Sequence, residues 1–165
     1  MNRDELKAAQ APIKDRYREH PEAAVVTLRA EGLLGEDLSC SVRTGQALVA
    51  AGLHPATGGD GSFACSGDML LQALAACAGV TMRSVATSIG VDVAGVVRAE
   101  GDLDFRGTLG VDKEAPVGFT DIRLSFELQS GASEEELATL LRLTERYCVV
   151  LQTLANSPRL SASIV

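Results

Sequence analysis

The sequence predicts an α+β domain in which antiparallel strands wrap around a long, buried central helix. Three observations carry that prediction. Residues 66–90 form an apolar stretch of helical length, with Gln72 the one strongly polar residue between positions 69 and 80. A helix apolar on nearly every side belongs in an interior. Runs on either side of it alternate apolar and polar residues, the mark of half-buried strands. A second helical pattern opens at a Ser133–Glu136 capping box and carries one apolar stripe.

Each element has its own signal. Residues 2–19 are dense in charge, with Leu6, Ala9, Ile13 and Tyr17 recurring every three or four positions. That spacing predicts a thin amphipathic helix, interrupted or kinked near Pro12, and Pro21 ends it. We divide the chain into this extension, residues 1–24, and a body, residues 25–165. In the body, residues 25–31 read as a strand with Val26, Leu28 and Ala30 on one face. A turn at 32–37 leads to a second strand, 38–44, with Leu38, Cys40 and Val42 inward. A tight turn at Gly45 and Gln46 leads to a third strand at 47–53. These short connections predict an antiparallel meander.

Residues 54–65 read as a loop feeding the central helix. Its Gly58, Gly59 and Gly61 lack both the G-x-G-x-x-G spacing and the Lys-Ser/Thr of a phosphate cradle. Ser66 is placed to cap the helix, Asp68 puts a negative charge in its first turn, and Gly90 can close its end. Residues 91–110 are β-rich. Residues 119–128 alternate cleanly, with Ile122, Leu124, Phe126 and Leu128 on one face. The second helix runs from Ser133 until Asn156 and Pro158, with Leu137, Leu140, Leu141, Thr144, Tyr147, Cys148, Leu151 and Leu154 on one stripe. Residues 160–165 read as a final short strand.

Composition narrows the function classes. The 165 residues are 46% hydrophobic, 22% charged and 4% aromatic, with no Trp, so Ala, Val and Leu must build the core. A net charge of −7 argues against nucleic-acid and anionic-membrane partners. The central apolar core of about a dozen residues, followed by Arg83, reads as too short to span a bilayer. The first twenty residues contain no apolar h-region, so a cytoplasmic location is expected. Cys40, Cys65, Cys77 and Cys148 form no C-x-x-C pair, and His20 and His54 are the only histidines, which does not suggest a zinc site. Cys40 reads as a core-facing strand residue and Cys65 as a loop residue. Cys77, mid-way along the central helix, is either an inert small hydrophobe or half of a redox pair.

The stretches GGDG (58–61), SGDMLLQALAACAGVT (66–81) and, with its Cys 71 positions after Cys77, ERYCVVLQTLANSP (145–158) together resemble the OsmC/Ohr family. The names stand for osmotically inducible protein and organic hydroperoxide resistance protein. The resemblance extends from about residue 25 to the C-terminus. It implies an OsmC-like fold, an intertwined homodimer whose sheets wrap around paired central helices, and two active sites at the interface. The implied activity is thiol-dependent reduction of organic hydroperoxides, with Cys77 peroxidatic, Cys148 resolving and a lipoyl-type dithiol as reductant. The resemblance implies no metal, haem or flavin. It also gives Asp68 a supporting catalytic role, although the organic-hydroperoxide branch has its acid one position earlier, where this chain has Gly67.

A buried thiol resists ionisation, and a mid-helix Cys gains little from the helix dipole. A neighbouring cation is therefore expected to hold the thiolate. No Arg lies between Arg43 and Cys77, where one family branch carries it, which leaves Arg29, Arg43 and His54 as candidates. Val149 stands where family members usually have Pro. These departures keep two other readings open. One is a non-catalytic dimer that binds a small apolar ligand at its interface. The other is an interaction module that docks through its N-terminal helix.

Overall fold

The computed structural model describes residues 3–34, 40–43, 51–61 and 64–164, with the backbone alone for residues 3–7, 9–10, 27–34, 40–43 and 51–52. Helix α1 (Arg3–Glu19) runs through Pro12 without interruption. A short 3-10 turn, Pro21–Ala24, leads into β1 (Val25–Leu34), which continues three residues past the expected strand end at 31. Strand β2 (Cys40–Arg43) pairs antiparallel with β1, Glu31 opposite Arg43 and Leu34 opposite Cys40. The tight turn predicted at Gly45 and Gln46 lies outside the described residues, as do the side chains of Leu28, Arg29, Ala30, Leu38, Cys40, Val42 and Arg43.

Of the third strand expected at 47–53, residues 47–50 lie outside the described residues. Strand β3 (Ala51–Gly52) pairs in parallel with β4 (Ala64–Cys65), forming a separate two-stranded sheet. On the side of β1 away from β2 lies β5 (Ala94–Asp104), an antiparallel partner from Val25 opposite Asp104 to Leu33 opposite Val96. A one-turn helix, α3 (Phe105–Thr108), precedes β6 (Phe119–Gln129), which closes the sheet in the order β2-β1-β5-β6. Along β6, partly buried Ile122, Leu124, Phe126 and Leu128 alternate with exposed neighbours, as the pattern predicts. On the outer face Arg123 pairs with Asp102 at 2.6 Å, and Arg98 with Glu127 at 2.6 Å.

Helix α2 (Ser66–Ile89) packs on β1 and β5. Its N-cap is Cys65 and not Ser66, and Gly90 ends it at φ 75°, a left-handed geometry suited to glycine. Leu71, Leu74, Ala75, Ala78, Met82 and Ala86 are buried on the sheet-facing side. Each buried Leu contributes roughly 1.5–3 kcal/mol by leaving water. On the other side of the helix, which the chain itself leaves uncovered, Leu70 and Val80 are 37% and 39% exposed. Length and composition alone would let α2 cross a bilayer, contrary to the sequence reading, but its packing is that of a core helix.

The second helix is two helices. Helix α4 (Glu134–Tyr147) opens with the expected capping box, Ser133 Oγ accepting from Glu136 N–H at 3.3 Å. Helix α5 (Val149–Ala155) follows, both packing alongside α2. Leu137, Leu140 and Leu143 join Met82, Val85, Val93 and Phe126 in one cluster, whereas Leu141 and Tyr147 are exposed. Residues 156–164 are exposed and form no strand, with Leu160 81% and Ile164 104% exposed. A strand requires a neighbour for its backbone groups, and no described residue supplies one there. At the other end, Tyr17 is 1% exposed in the core cluster, and its hydroxyl donates to Ala56 O at 3.0 Å. The charged N-terminal helix is thereby tied into the body.

Candidate functional site

Cys77 lies on α2 where that helix faces the junction of α4 and α5. Thr144 Oγ1 turns back to Leu140 O at 2.8 Å, and Cys148 N–H donates to Thr144 O at 2.9 Å, finishing α4. Cys148 itself is extended, at φ −70° and ψ 106°, and its carbonyl accepts from Gln152 N–H at 2.9 Å to start α5. The sequence reading of Cys148 as a residue within a continuous helix is corrected: it is the C-cap of one helix and the N-cap of the next. Its side chain is wholly buried, and Cys77 is half-buried.

The two thiols meet at this junction. Burial pushes the Cys77 thiol up, but four hydrogen bonds together outweigh it and hold the group below its ordinary value of 9.0. They come from the main chain of Val150, the Cys148 thiol, the Thr81 side chain and the main chain of Val149. Cys148 moves the other way, to about 11. Burial is the main cause, and the adjacent Cys77 adds to it. Cys77 is thus the readier nucleophile, with Cys148 as a protonated neighbour donating to it.

Asp68 is not brought to this pair within the chain. Nine helical residues separate it from Cys77, about 13.5 Å along the axis and half a turn around it. Its neighbour is His54, with which it interacts electrostatically. Burial raises Asp68 and lowers His54, and the charge of each partly offsets the shift of the other. The His54 ring stacks on Phe105 with centroids 5.1 Å apart, at the N-terminal end of α2. The glycine loop is folded around His54: Thr57 N–H, Thr57 Oγ1 and Gly59 N–H all donate to its carbonyl at 2.8–3.2 Å. A Cβ at Gly59 would fall 1.8 Å from Leu53 O, so the glycine permits a tight backbone crossing.

Sequence reasoning missed three donors to Cys77. Thr81 was legible in principle, because it follows Cys77 by four residues and shares its helix face. The Val149 and Val150 amides carry no side-chain signal. Among the described residues, no three His, Cys, Asp or Glu side chains gather where a metal could be held. A groove of about 320 Å³ lies between β6 and α5, lined by Phe119, Ile122, Leu151 and Leu154 among others.

Residues 59–163 match the OsmC family of OsmC-like proteins. The chain belongs to the OsmC family. Solved OsmC-like structures share its fold. An OsmC-like protein from Mycoplasma pneumoniae is 20% identical with a TM-score of 0.53, over 81% of this chain and 86% of that one. An OsmC-like hydroperoxide resistance protein from Jannaschia sp. CCS1 is 16% identical with a TM-score of 0.58, over 83% of this chain and 91% of that one. No curated protein matches the sequence. The OsmC assignment accounts for the arrangement of an antiparallel sheet on one long helix with two shorter helices beside it.

Proposed function

We propose that this OsmC-family protein is a two-cysteine peroxidase that reduces organic hydroperoxides to alcohols. The observation that carries the reading is the pairing of Cys77 on α2 with Cys148 at the α4–α5 junction, where the two thiols shift each other in opposite directions. Family membership and the hydroperoxide-resistance description of one structural relative support it.

In this reading the Cys77 thiolate attacks the distal oxygen of R–O–O–H. The O–O bond breaks, Cys77 becomes a sulfenic acid, and the departing alkoxide takes a proton to leave as alcohol. Cys148, as thiolate, then attacks the sulfenic sulfur. An S–S bond forms, hydroxide leaves, and the proton from Cys148 completes a water molecule. A dithiol of the lipoyl type restores both thiols by exchange and is itself oxidised to a cyclic disulfide. The groove beside Leu151, three residues past Cys148, offers an apolar seat for the organic tail.

The same reading has the protein work as a homodimer. On α2, Leu70, Ala73, Cys77, Val80 and Ser84 recur every three or four residues on the side away from the sheet, and all but half-buried Cys77 are exposed. That spacing is the seam of a helix pair.

The test is a titration of reduced protein with cumene hydroperoxide, counting thiols and mapping disulfides by mass spectrometry. Loss of two thiols per chain through a Cys77–Cys148 link, absent in Cys77→Ser and in Cys148→Ser, is expected. Retention of both thiols at stoichiometric peroxide would sink the peroxidase and favour a binding role for the groove.

A further inference from the structure

The chain breaks its helix at Cys148 with no proline to force the break. In a continuous helix Val149 N–H would donate to Glu145 O, four residues back. Here that carbonyl accepts instead from the side chain of Gln152, Nε2 to O at 2.8 Å. Gln152 is held in turn by Asn156, whose Nδ2 donates to Gln152 Oε1 at 3.2 Å. Cys148 N–H is already committed to Thr144 O, and Gln152 N–H to Cys148 O. The first amides of α5 have no partner of their own within that helix. Those of Val149 and Val150 lie near enough to Cys77 to lower its thiol.

We propose that the interruption is the device that anchors Cys77, with the Val149 N–H as a donor to its sulfur and Gln152 as the positioning residue that keeps the interruption open. The inference deepens the peroxidase reading and rests on it for the identity of the reactive thiol. A sulfur held this way gains a fixed main-chain donor, which stabilises charge on it without a side chain that must be immobilised. Gln152 acts only through the backbone it releases.

The experiment measures the pH dependence of Cys77 alkylation by iodoacetamide, with site-resolved mass spectrometry and no peroxide present. Val149→Pro removes the donor while keeping the backbone, since proline suits the first helical position and Cys148 is already extended. Its alkylation midpoint is expected to rise. A rise of about one unit leaves about tenfold less thiolate at neutral pH. Gln152→Met, which keeps bulk but cannot donate, is expected to shift the midpoint the same way by letting Val149 N–H return to Glu145 O. In the double variant, Gln152→Met is expected to add nothing, because the proline has already removed the donor. A structural role for Gln152 would add its effect in full.

A Val149→Pro profile that superimposes on wild type, with far-UV circular dichroism unchanged, overturns the proposal. So does full additivity in the double variant. Should Val149→Pro fail to fold, an unshifted Gln152→Met profile is the overturning result. A protein that shows these shifts yet consumes no peroxide keeps the anchor and loses the peroxidase. One that consumes peroxide without the shifts does the reverse.

Discussion

Cys77 and Cys148 adjoin one another, and the two thiols are displaced in opposite directions from the same ordinary value of 9.0. Alkylation should therefore be sequential. As pH rises, Cys77 is expected to react first, with a midpoint below 9.0, and Cys148 only as pH nears about 11. The linkage signs differ as well. Depressed Cys77 adds stability that is present above its unfolded value and lost as pH falls through its folded value. Raised Cys148 adds stability that is full below 9.0 and lost as pH rises toward about 11. Urea melts should show the Cys148→Ala variant losing the wild-type decline in stability between those pH values. A single shared midpoint for both thiols would contradict the unequal division of the proton.

Tyr17 makes the N-terminal helix part of the body. Its ring is 1% exposed and its hydroxyl donates to Ala56 O. Tyr17→Phe keeps the ring and leaves that carbonyl without its donor, an expected cost of about 1–3 kcal/mol. Tyr17→Ala also empties the site, with an expected cost of about 3–5 kcal/mol. Thermal melts should order wild type, Phe and Ala in that sequence, at about 2–4 °C per kcal/mol for a chain of this size. Equal midpoints for wild type and Tyr17→Ala would place α1 outside the folded unit.

These residues also show what the sequence could and could not tell. Alternation from Ile122 to Leu128 marks β6 because burial on one face writes a period of two directly into residue choice. The break at Cys148 leaves no such trace. The apolar stripe of Leu140, Thr144, Leu151 and Leu154 continues in phase across it, and a single extended residue changes the path without changing the pattern. Exposure of one side of α2 was hidden for a related reason. Leu70 and Val80 are as apolar as Leu71 and Leu74, so composition does not distinguish a face covered by the chain from one left open. The place of Asp68 relative to Cys77 within the chain follows from helical phase alone, which sets it half a turn away.

Asp104 caps α3 and pairs with Arg106. Its carboxylate accepts from Arg106 N–H and Nε–H, each at 3.0 Å, and its side chain is 9% exposed. The Arg106 side chain is the main reason its carboxyl lies below the usual value, against the opposing effect of burial. Asp104→Asn keeps the shape and removes the charge, with an expected cost of about 1.5–3 kcal/mol at neutral pH. The depressed carboxyl contributes fully above its unfolded value of about 3.8 and loses that contribution as pH falls through its folded value. The gap between wild type and Asp104→Asn in urea melts should therefore be level down to about pH 4 and narrow below it. A gap that widened on acidification would reverse the assignment.

Val80 tests the homodimer proposed for the open face of α2. It is 39% exposed and one turn from Cys77 on the same stripe as Leu70 and Ala73, so a charge there disturbs little of the chain's own packing. In a two-fold pair of helices the same substitution enters the seam twice, and two carboxylates would face a contact otherwise built from small and apolar side chains. Val80→Glu is expected to yield a monomer by light scattering at concentrations where wild type is dimeric, with far-UV circular dichroism unchanged. Peroxide consumption measured on the same sample separates two designs. Its loss would mean that the site is complete only when a second α2 lies across Cys77. Its retention in a monomer would mean that the α4–α5 junction alone suffices. A Val80→Glu protein that remains dimeric would move the seam away from this face of α2.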